Sequence, residues 1–385
     1  MAVIAKETWQ TWVEIDLDAI AHNVRTIRQA LADKVKLMAV VKADGYGHGM
    51  SEVAETALAN GADCLGVTTL AEGLELRSSG FTVPVLILGI TPTADAEAVV
   101  ENDLTQTVCT ADLAGALARA AQRIGKPCKV HLKIDTGLTR FGILPEDAVD
   151  FATDLLRLEG LDLEGVYTHF ASPYEEDEYN YVQFQRFEAA LQSLADANIT
   201  IPLKHCANSA AMYEYPEMAM DMVRCGFILT NTSPARHAGR ELPLRDALQW
   251  KTRVAYIRKV AKGVSIGYAQ KYFAPRDMVI AIMQAGYADG IATAYGNKGK
   301  VLIGGKACPI VGGVCMSHIM VDISALAENV RIGDEVVLIG KQGDAFISVV
   351  EMAGAIGAGD AETLGRINHK LPRLYYRGEK LIKIK

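Results

Sequence analysis

The sequence contains neither a long apolar run nor a block of basic residues. No window approaches the roughly 20 consecutive apolar residues that a membrane-spanning helix needs, so we expect no membrane partner. The formal net charge is −7 and the isoelectric point is near 5.7. Because nucleic acids and anionic membrane surfaces attract basic proteins, this charge makes both of them poor candidate partners.

Cysteine is scarce and follows no pattern. The seven cysteines are odd in number and show no CxxC spacing, which argues against a disulfide framework and against a structural zinc site. We therefore expect no metal. The first ten residues, MAVIAKETWQ, lack the basic and apolar segments of a secretory signal. Together these features predict a protein of the reducing cytoplasm.

The chain divides into two regions with different sequence patterns. Half of the 385 residues are hydrophobic, and the length favours about two domains. From about residue 10 to residue 235, short apolar runs such as KLMAVVKA alternate with helical patterns such as SEVAETALANG. About eight such strand candidates predict a parallel sheet, and we expect a (β/α)8 TIM barrel, with a doubly wound α/β sheet as the alternative.

After about residue 245 the helical patterns become rare. Strand-like runs such as TRVAYIRKV and DEVVLIG are separated by glycine-rich turns, which predicts a smaller, mainly β domain. We place the first domain at residues 10–242 and the second at 243–385. Residues 1–9 could pack with the second domain.

One apolar run ends in a lysine. In AVVKADGYGHG (39–49), Lys42 follows a strand pattern and precedes three glycines. At the carboxyl end of a barrel strand, burial would lower the pKa of the amine and make it a nucleophile for a carbonyl, as in Schiff-base formation. The plainer interpretation is a lysine that ends a strand and pairs with Asp44 or Asp135.

Other strand candidates end in polar residues too. In HLKIDTGLTRFG, Arg140 offers a planar fork suited to a carboxylate, although an ordinary Arg–Asp pair is the alternative. His169 ends a third strand, where a histidine is more often a satisfied core residue. Asn208 and Ser209 indicate a helix start, which binds phosphate readily or is simply capped. Arg224 ends a further strand, and all of these ends would meet at one barrel mouth.

At these residues the chain resembles the alanine racemases, pyridoxal-phosphate (PLP) enzymes of fold type III. The resemblance runs from WVEIDLDAIAHNV (12–24) to KLPRLYYRG (370–378), and AVVKADGYGHG is similar to the family's highly specific cofactor-lysine signature. It implies a PLP-dependent isomerase that interconverts L- and D-alanine. The resemblance further implies a head-to-tail homodimer in which Tyr268 completes the active site of the other copy.

The resemblance also implies a role for each matched residue. Two residues would be the catalytic bases, acting on opposite faces of the substrate: Lys42 and Tyr268. The expected cofactor-binding residues are Lys42, Tyr46, His169, Ser209, Arg224, Gly226 and Phe227. The expected substrate-binding residues are Arg140, Met316 and Tyr287, with Lys133, often carbamylated in the family, steadying Arg140. Arg224 would face the pyridine nitrogen of PLP.

The chain departs from the family pattern around the substrate entrance. The candidate specificity residues, where acidic, arginine or tyrosine residues are usual, are Tyr174, Thr293, Gly313, Ser317 and His369. These departures leave open a racemase with shifted specificity, for serine or a larger amino acid. A fold-type III decarboxylase and a non-catalytic PLP carrier are further alternatives. Arg224 argues against the decarboxylase, and the second domain with Tyr268 argues against the carrier.

Overall fold

The fold is taken from a computed structural model, which describes residues 9–173, 178–232 and 242–385. The strands, in chain order, are β1 (Thr11–Asp16), β2 (Lys36–Val40), β3 (Cys64–Val67), β4 (Val85–Ile87), β5 (Thr105–Val108), β6 (Cys128–Lys133), β7 (Leu161–Tyr167), β8 (Leu203–His205), β9 (Met222–Cys225), β10 (Leu248–Val260), β11 (Met278–Met283), β12 (Lys300–Ile303), β13 (Lys306–Pro309), β14 (Ile319–Asp322), β15 (Glu335–Gln342), β16 (Ala345–Ile347), β17 (Arg373–Arg377) and β18 (Lys380–Ile384).

The helices alternate with the strands in the first part of the chain. They are α1 (Leu17–Ala30), α2 (Lys42–Tyr46), α3 (Met50–Ala59), α4 (Leu70–Ser78), α5 (Ala96–Glu101), α6 (Ala111–Ile124), α7 (Ala148–Arg157), α8 (Glu178–Asp196), α9 (Ser209–Glu214), α10 (Phe227–Thr230), α11 (Val349–Gly354) and α12 (Asp360–Gly365). The segment α2 is a left-handed turn rather than a regular helix, because its central residues have positive φ.

The chain divides into two compact units. The first, here called the barrel unit, comprises Ala19–Gly45 and Met50–Arg245. The second, the β unit, comprises the described residues up to Asp18, the segment Tyr46–Gly49 and Asp246–Lys385.

The described residues of the barrel unit form eight parallel strands in the order β8-β7-β6-β5-β4-β3-β2-β9. The strand interiors are fully buried, as at Leu37, Val130 and Val166. Beyond the last strand pair, the Arg224 N–H donates to the carbonyl of Ala207 over 3.0 Å, which brings β9 beside the end of β8. The result is a nearly closed (β/α)8 barrel, and the predicted fold class is confirmed.

The β unit is built on one sheet with the central order β13-β12-β15-β10-β1-β17-β18, to which β11, β14 and β16 add. β1 lies within this sheet, antiparallel to β10 and parallel to β17. Thr11–Asp16 therefore belong to this sheet, although they fall within the range 10–242 assigned to the barrel. The predicted boundary at 242/243 stays a prediction, and residues 1–8 lie outside the described residues.

Two searches across the described residues bear on partners. Among the described helices, none has both the length and the apolar character needed to span a bilayer. The same residues contain no grouping of three or more His, Cys, Asp or Glu side chains arranged to hold a metal ion.

Candidate active site

Lys42 lies directly after β2 and opens a left-handed turn. Ala43, Asp44 and Gly45 have φ values of 51°, 53° and 62°, a conformation that costs free energy for residues other than glycine. Hydrogen bonds hold it: the Ala43 N–H donates to Glu72 Oε1 over 2.7 Å, the Gly45 N–H to the Val41 carbonyl over 2.9 Å, and the Met50 N–H to Asp44 Oδ1 over 3.0 Å. The turn therefore fixes the direction in which Lys42 leaves the strand.

The Lys42 amine is poorly neutralised. Within the described ranges it has no carboxylate within 4.0 Å, so the ion pair with Asp44 or Asp135 is not formed there. Burial is the main cause that lowers the pKa of Lys42, and the nearby Arg140 guanidinium lowers it further, while Glu72 acts in the opposite direction. Tyr46, at the end of the same turn, has φ 56°. At neutral pH, Lys42 therefore loses its proton more easily than an ordinary lysine does.

Arg140 is carried by a loop that its own aspartate organises. The Asp135 carboxylate accepts the backbone N–H groups of Gly137, Leu138 and Thr139 over 2.9, 3.0 and 3.1 Å. Asp135 is therefore occupied by the loop, and Arg140 instead stacks on the Phe141 ring at 5.3 Å. Among the residues described, no carboxylate pairs with Arg140, so its fork stays available for an anionic ligand.

Lys133, the last residue of β6, is almost fully buried between aromatic rings. Its Nζ lies 5.3 Å from the Tyr167 ring centroid and donates to the carbonyl of Ile134 over 3.2 Å. Burial, followed by the charge of Arg224, lowers the pKa of Lys133 to about 7, against the opposing effect of Asp135. At physiological pH, Lys133 is therefore a neutral amine in a large fraction of the molecules.

Arg224, buried in the barrel unit, makes four hydrogen bonds through its two terminal nitrogens. Its Nη2 donates to the carbonyls of Thr168 and Cys206 over 2.9 and 3.0 Å and to His169 Nδ1 over 3.1 Å. Its Nη1 donates to His205 Nδ1 over 2.9 Å, whereas Nε has no acceptor among the described residues. His169 is thus held neutral by an arginine that can only donate, and burial and then Arg224 lower the pKa of His169 well below its usual value.

Ser209 and Phe227 begin two short helices that face each other. The Gly226 N–H donates to Ser209 Oγ over 3.0 Å, which joins the start of α9 to the start of α10. Asn208 is the cap of α9, since its Oδ1 accepts the Ala211 N–H over 3.1 Å. Ser209 is then the first helical residue, with its hydroxyl beside the unpaired N–H groups that open a helix.

In the β unit, Tyr268 is presented on a hairpin loop. The Ile266 N–H donates to the carbonyl of Tyr272 over 2.9 Å, and Ser265 and Phe273 form a bridge below the loop. The Tyr268 side chain is 73% exposed. It borders a cavity of about 430 Å³ that Arg258, Cys315 and His318 also line.

Three turns of the β unit bring further site candidates together. The N–H groups of Tyr287 and Ala288 donate to the carbonyls of Cys315 and Met316 over 3.0 and 2.9 Å. Gly286 permits this approach, because a Cβ there would lie 2.3 Å from the Cys315 oxygen. Asn368 Nδ2 donates to the Ala288 carbonyl over 2.8 Å, which adds the turn that bears His369.

The candidate specificity residues have different surroundings. Thr293 lines a cavity of about 270 Å³ together with Tyr287 and Arg366. Gly313 faces open space, since a Cβ there would meet no heavy atom within 4 Å. Ser317 is exposed on the turn that carries Met316, and His369 is exposed beside Asn368. Tyr174 lies outside the described residues.

Sequence reasoning missed His205, His131 and Glu164. His131 Nδ1 and His205 Nε2 lie 2.9 Å apart, and His131 Nε2 lies 3.4 Å from Glu164 Oε2. All three residues are in strands, and the apolar patterns KVHLKID and PLKHC contain histidines that are buried in the structure. That placement of histidine among apolar residues is the signal that could have found them.

Comparison with known proteins agrees with this geometry. The models "Alanine racemase, N-terminal domain" and "Alanine racemase, C-terminal domain" match residues 15–234 and 247–375. An alanine racemase of Desulfosudis oleivorans is 42% identical over 96% of this chain and 97% of its own length. The solved alanine racemase of Clostridium difficile 630 is 37% identical with a TM-score of 0.93, covering 98% of both chains. The Bacillus anthracis alanine racemase "with bound L-Ala-P" is 35% identical with a TM-score of 0.91, covering 98% of this chain and 97% of that one.

Proposed function

Because this chain belongs to the alanine racemase family, we propose that it interconverts L- and D-alanine with PLP as its cofactor. Lys42 and Tyr268 are the two bases of the proposal, one for each face of the substrate. The observation that carries the proposal is the amine of Lys42, which leaves a strained turn without a carboxylate partner among the described residues and has a lowered pKa. Inversion of a carbon centre needs one proton donor and one acceptor on opposite faces.

The candidate cofactor-binding residues fit PLP by their chemistry. A primary amine of lowered pKa suits an aldehyde. The Ser209 hydroxyl and the N–H of Phe227 suit a phosphate, as does the Gly226 N–H once it leaves Ser209 Oγ, and Tyr46 adds a hydroxyl. His169, neutral and fixed by Arg224, suits the face of an aromatic ring. When bound, PLP acidifies the α-proton of an amino acid joined to it by spreading the resulting charge into its ring.

Arg224 is the residue that we place against the pyridine nitrogen. Its Nε has no acceptor among the described residues, so one donor remains for a ligand. A guanidinium gives up no proton, so Arg224 would leave that nitrogen unprotonated. With PLP bound, Arg224 would thereby limit how much charge the ring withdraws and suppress side reactions.

Arg140 and the backbone N–H of Met316 are the proposed anchors of the substrate carboxylate, with Tyr287 beside Met316. The Asp135 loop and the Phe141 ring hold Arg140 in place, and the neutral amine of Lys133 avoids repulsion with it. These residues orient the α-carbon and perform no proton transfer themselves.

Tyr268 is proposed to act in the site of a second copy of the chain. A base that is 73% exposed is surrounded by water, which weakens any directed interaction. Val264, which also lines the 430 Å³ cavity, is 45% exposed, and Phe273 on the same hairpin is 55% exposed. Exposed apolar side chains on this hairpin favour cover by another subunit. We therefore infer a head-to-tail homodimer with shared active sites.

The alternatives are not favoured. The relatives compared above carry the name alanine racemase, and this favours alanine over serine or a larger amino acid, and a racemase over a decarboxylase or a PLP carrier. Thr293, Gly313, Ser317 and His369 are then positions at which the entrance tolerates change, and Tyr174 joins them as a prediction. The cytoplasmic location also stays a prediction.

A chiral chromatography panel tests the substrate. Purified protein with added PLP is incubated with each L-amino acid separately, and the D-product is quantified. Alanine should be converted fastest, and L- and D-alanine should both approach an equal mixture. The Lys42→Ala variant should lose both the visible PLP absorbance and the activity. Faster conversion of serine or a larger amino acid, or carbon dioxide release without inversion, would contradict the proposal.

A further inference from the structure

A line of hydrogen-bonded side chains crosses the interior of the barrel unit from Arg224. Arg224 Nη1 lies 2.9 Å from His205 Nδ1, and His205 Nε2 lies 2.9 Å from His131 Nδ1. His131 Nε2 then lies 3.4 Å from Glu164 Oε2, and Lys129 Nζ donates to Glu164 Oε1 over 2.6 Å. The first three side chains are buried, whereas Glu164 is about one-fifth exposed and Lys129 about half exposed.

The hydrogen atoms on this line can be placed in only one way. A guanidinium only donates, so His205 Nδ1 must accept and the single proton of His205 lies on Nε2. His205 therefore donates to His131 Nδ1, and the proton of His131 lies on Nε2, from which it donates to Glu164. A charged imidazole at either position would set two N–H groups against each other. All of the hydrogen bonds from Arg224 to Glu164 thus run in the same direction.

The charges at the two ends agree with this direction. The hydrogen bond from His131 and the contact with Lys129, opposed by burial, lower the pKa of Glu164 to about 2, so it is a carboxylate. Burial lowers the pKa of His131 against the opposing effect of Glu164, and the charges of Arg224 and Lys129 lower it further. Burial and then the charge of Arg224 lower the pKa of His205 well below its usual value. Arg224 itself has no carboxylate within 4.0 Å among the described residues. The line ends on an anion that Arg224 does not touch.

The far end lies at the opposite face of the barrel from the carboxyl ends of the strands. Glu164 and His131 line a cavity of about 60 Å³ with Lys36, Leu203 and Met222, the first residues of β2, β8 and β9. The chain also makes room for the line: a Cβ at Gly165 would lie 2.6 Å from His131 Nδ1, so the ring fits only beside glycine. A register shift in the pairing of β6 with β7 falls at Val130/His131.

We propose that Glu164 is the remote counter-ion of Arg224 and that His205 and His131 form a one-way relay that fixes how Arg224 presents its donors to the cofactor pocket. Glu164 is a positioning residue: it touches no reacting atom. A buried guanidinium charge needs a compensating negative charge. The carboxylate of Glu164 polarises His131, His131 polarises His205, and the hydrogen bond between His205 and Arg224 is strengthened as a result. The inference rests on the proposed function only where it refers to PLP, since the relay itself is a property of the barrel unit.

The first test reads the relay without reference to activity. In PLP-loaded protein with 15N-labelled histidine, the signals of His131 and His205 are assigned from single His→Asn variants. Both rings should be neutral near pH 7, with hydrogen on Nε2 and an unprotonated Nδ1. Hydrogen on Nδ1 of either ring, or a cationic ring, overturns the proposal, whether or not the protein racemises alanine.

The second test asks whether the carboxylate acts on the cofactor pocket. Glu164→Gln keeps the shape and removes the charge, and we expect PLP to bind roughly tenfold more weakly, with a shifted visible absorbance. Asp162→Asn makes the same change of charge at an exposed position of β7, and Lys129→Met removes the ion pair while leaving the relay. Both controls should bind PLP like the parent protein.

The pattern among the variants separates the relay from a local structural role. If Lys129→Met weakens PLP binding as much as Glu164→Gln, the ion pair matters rather than the relay, and the proposal is wrong. Unchanged PLP binding by a folded Glu164→Gln protein also overturns it. If Glu164→Gln does not fold, the histidine tautomers of the parent protein still decide the matter.

Discussion

At the scale of single residues, three cations of the barrel unit are wholly or partly buried and have no carboxylate within 4.0 Å among the described residues. Burial lowers the pKa of Lys42, of Lys133 and of Arg224, and the positive charge of the nearby Arg140 lowers each of these pKa values further. Lysine responds to such surroundings by losing its proton, whereas arginine keeps its own. The unit thus holds amines that can react or accept protons beside a guanidinium that can only donate.

The pKa of Lys133 makes the stability of the protein depend on pH. The folded value of about 7 lies below the ordinary value of 10.5, so the unfolded chain binds the extra proton between these two pH values. Stability therefore rises with pH across that window, and the destabilisation is complete below about pH 7. In carbon dioxide-free buffer, Lys133→Met should be more stable than the parent near pH 7, by roughly 2–4 kcal/mol, and equal to it near pH 10.5.

Urea unfolding followed by circular dichroism at several pH values measures this difference. Lys34→Met, a change of the same kind at an exposed position of the barrel unit, serves as the control and should follow the parent at every pH. A difference between Lys133→Met and the parent that stays constant with pH would show that Lys133 is charged in the folded protein.

At the scale of elements, close backbone approach assembles the site candidates of the β unit. Tyr287 and Met316 are far apart in sequence, and they become neighbours because the Gly286 turn lies against the carbonyls of Cys315 and Met316. No side chain could be added at Gly286 without moving that backbone, since a Cβ would lie 2.3 Å from one oxygen and 2.4 Å from the other.

Gly286→Ala should accordingly separate the two turns. We expect a loss of about 1–3 kcal/mol in the free energy of unfolding, because the added methyl group must displace backbone atoms. The Michaelis constant for alanine should also rise, since Met316 is a proposed carboxylate anchor. Gly313→Ala is the matched control, because a Cβ there meets nothing within 4 Å. Equal stability of the two variants in urea would contradict this account of Gly286.

The elements differ in how far the sequence predicts them. The alternation of apolar runs with helical patterns predicted the barrel, because each βα pair carries its own periodicity. It could not place Thr11–Asp16, since a strand in the middle of a sheet is assigned by its partners, and these lie some 240 and 360 positions further along the chain. The Asn208 cap was predictable from local chemistry.

The residues of the candidate site likewise differ in how far the sequence predicts them. Lys42 comes just after β2, Arg224 is the third of the four residues of β9, and Arg140 is in the loop after β6, so their position near the carboxyl ends of strands could be read from the sequence. The relay from Arg224 to Glu164 could not, because it depends on which interior side chains of four different strands meet. The space beside Gly165 exists only once β6 and β7 are paired.

At the scale of the whole molecule, the proposed active site needs two copies of the chain. Lys42 belongs to the barrel unit and Tyr268 to the β unit, and Tyr268 is largely exposed. In a symmetric dimer with shared sites, each active site would take Lys42 from one copy and Tyr268 from the other. One substitution can then remove Lys42 from one copy while another removes Tyr268 from the other copy.

The most direct measurement of the central claim is the activity of a mixed dimer. Lys42→Ala and Tyr268→Ala chains with different affinity tags are produced together, the mixed dimer is isolated with both tags in turn, and formation of D-alanine is followed. Each variant alone should be inactive, and the mixed dimer should show about half of the parent activity, since one of its two sites keeps both bases. A mixed dimer made from two unchanged chains is the control. Activity in either variant alone, or an inactive mixed dimer, would contradict a racemase whose two bases, Lys42 and Tyr268, come from different copies.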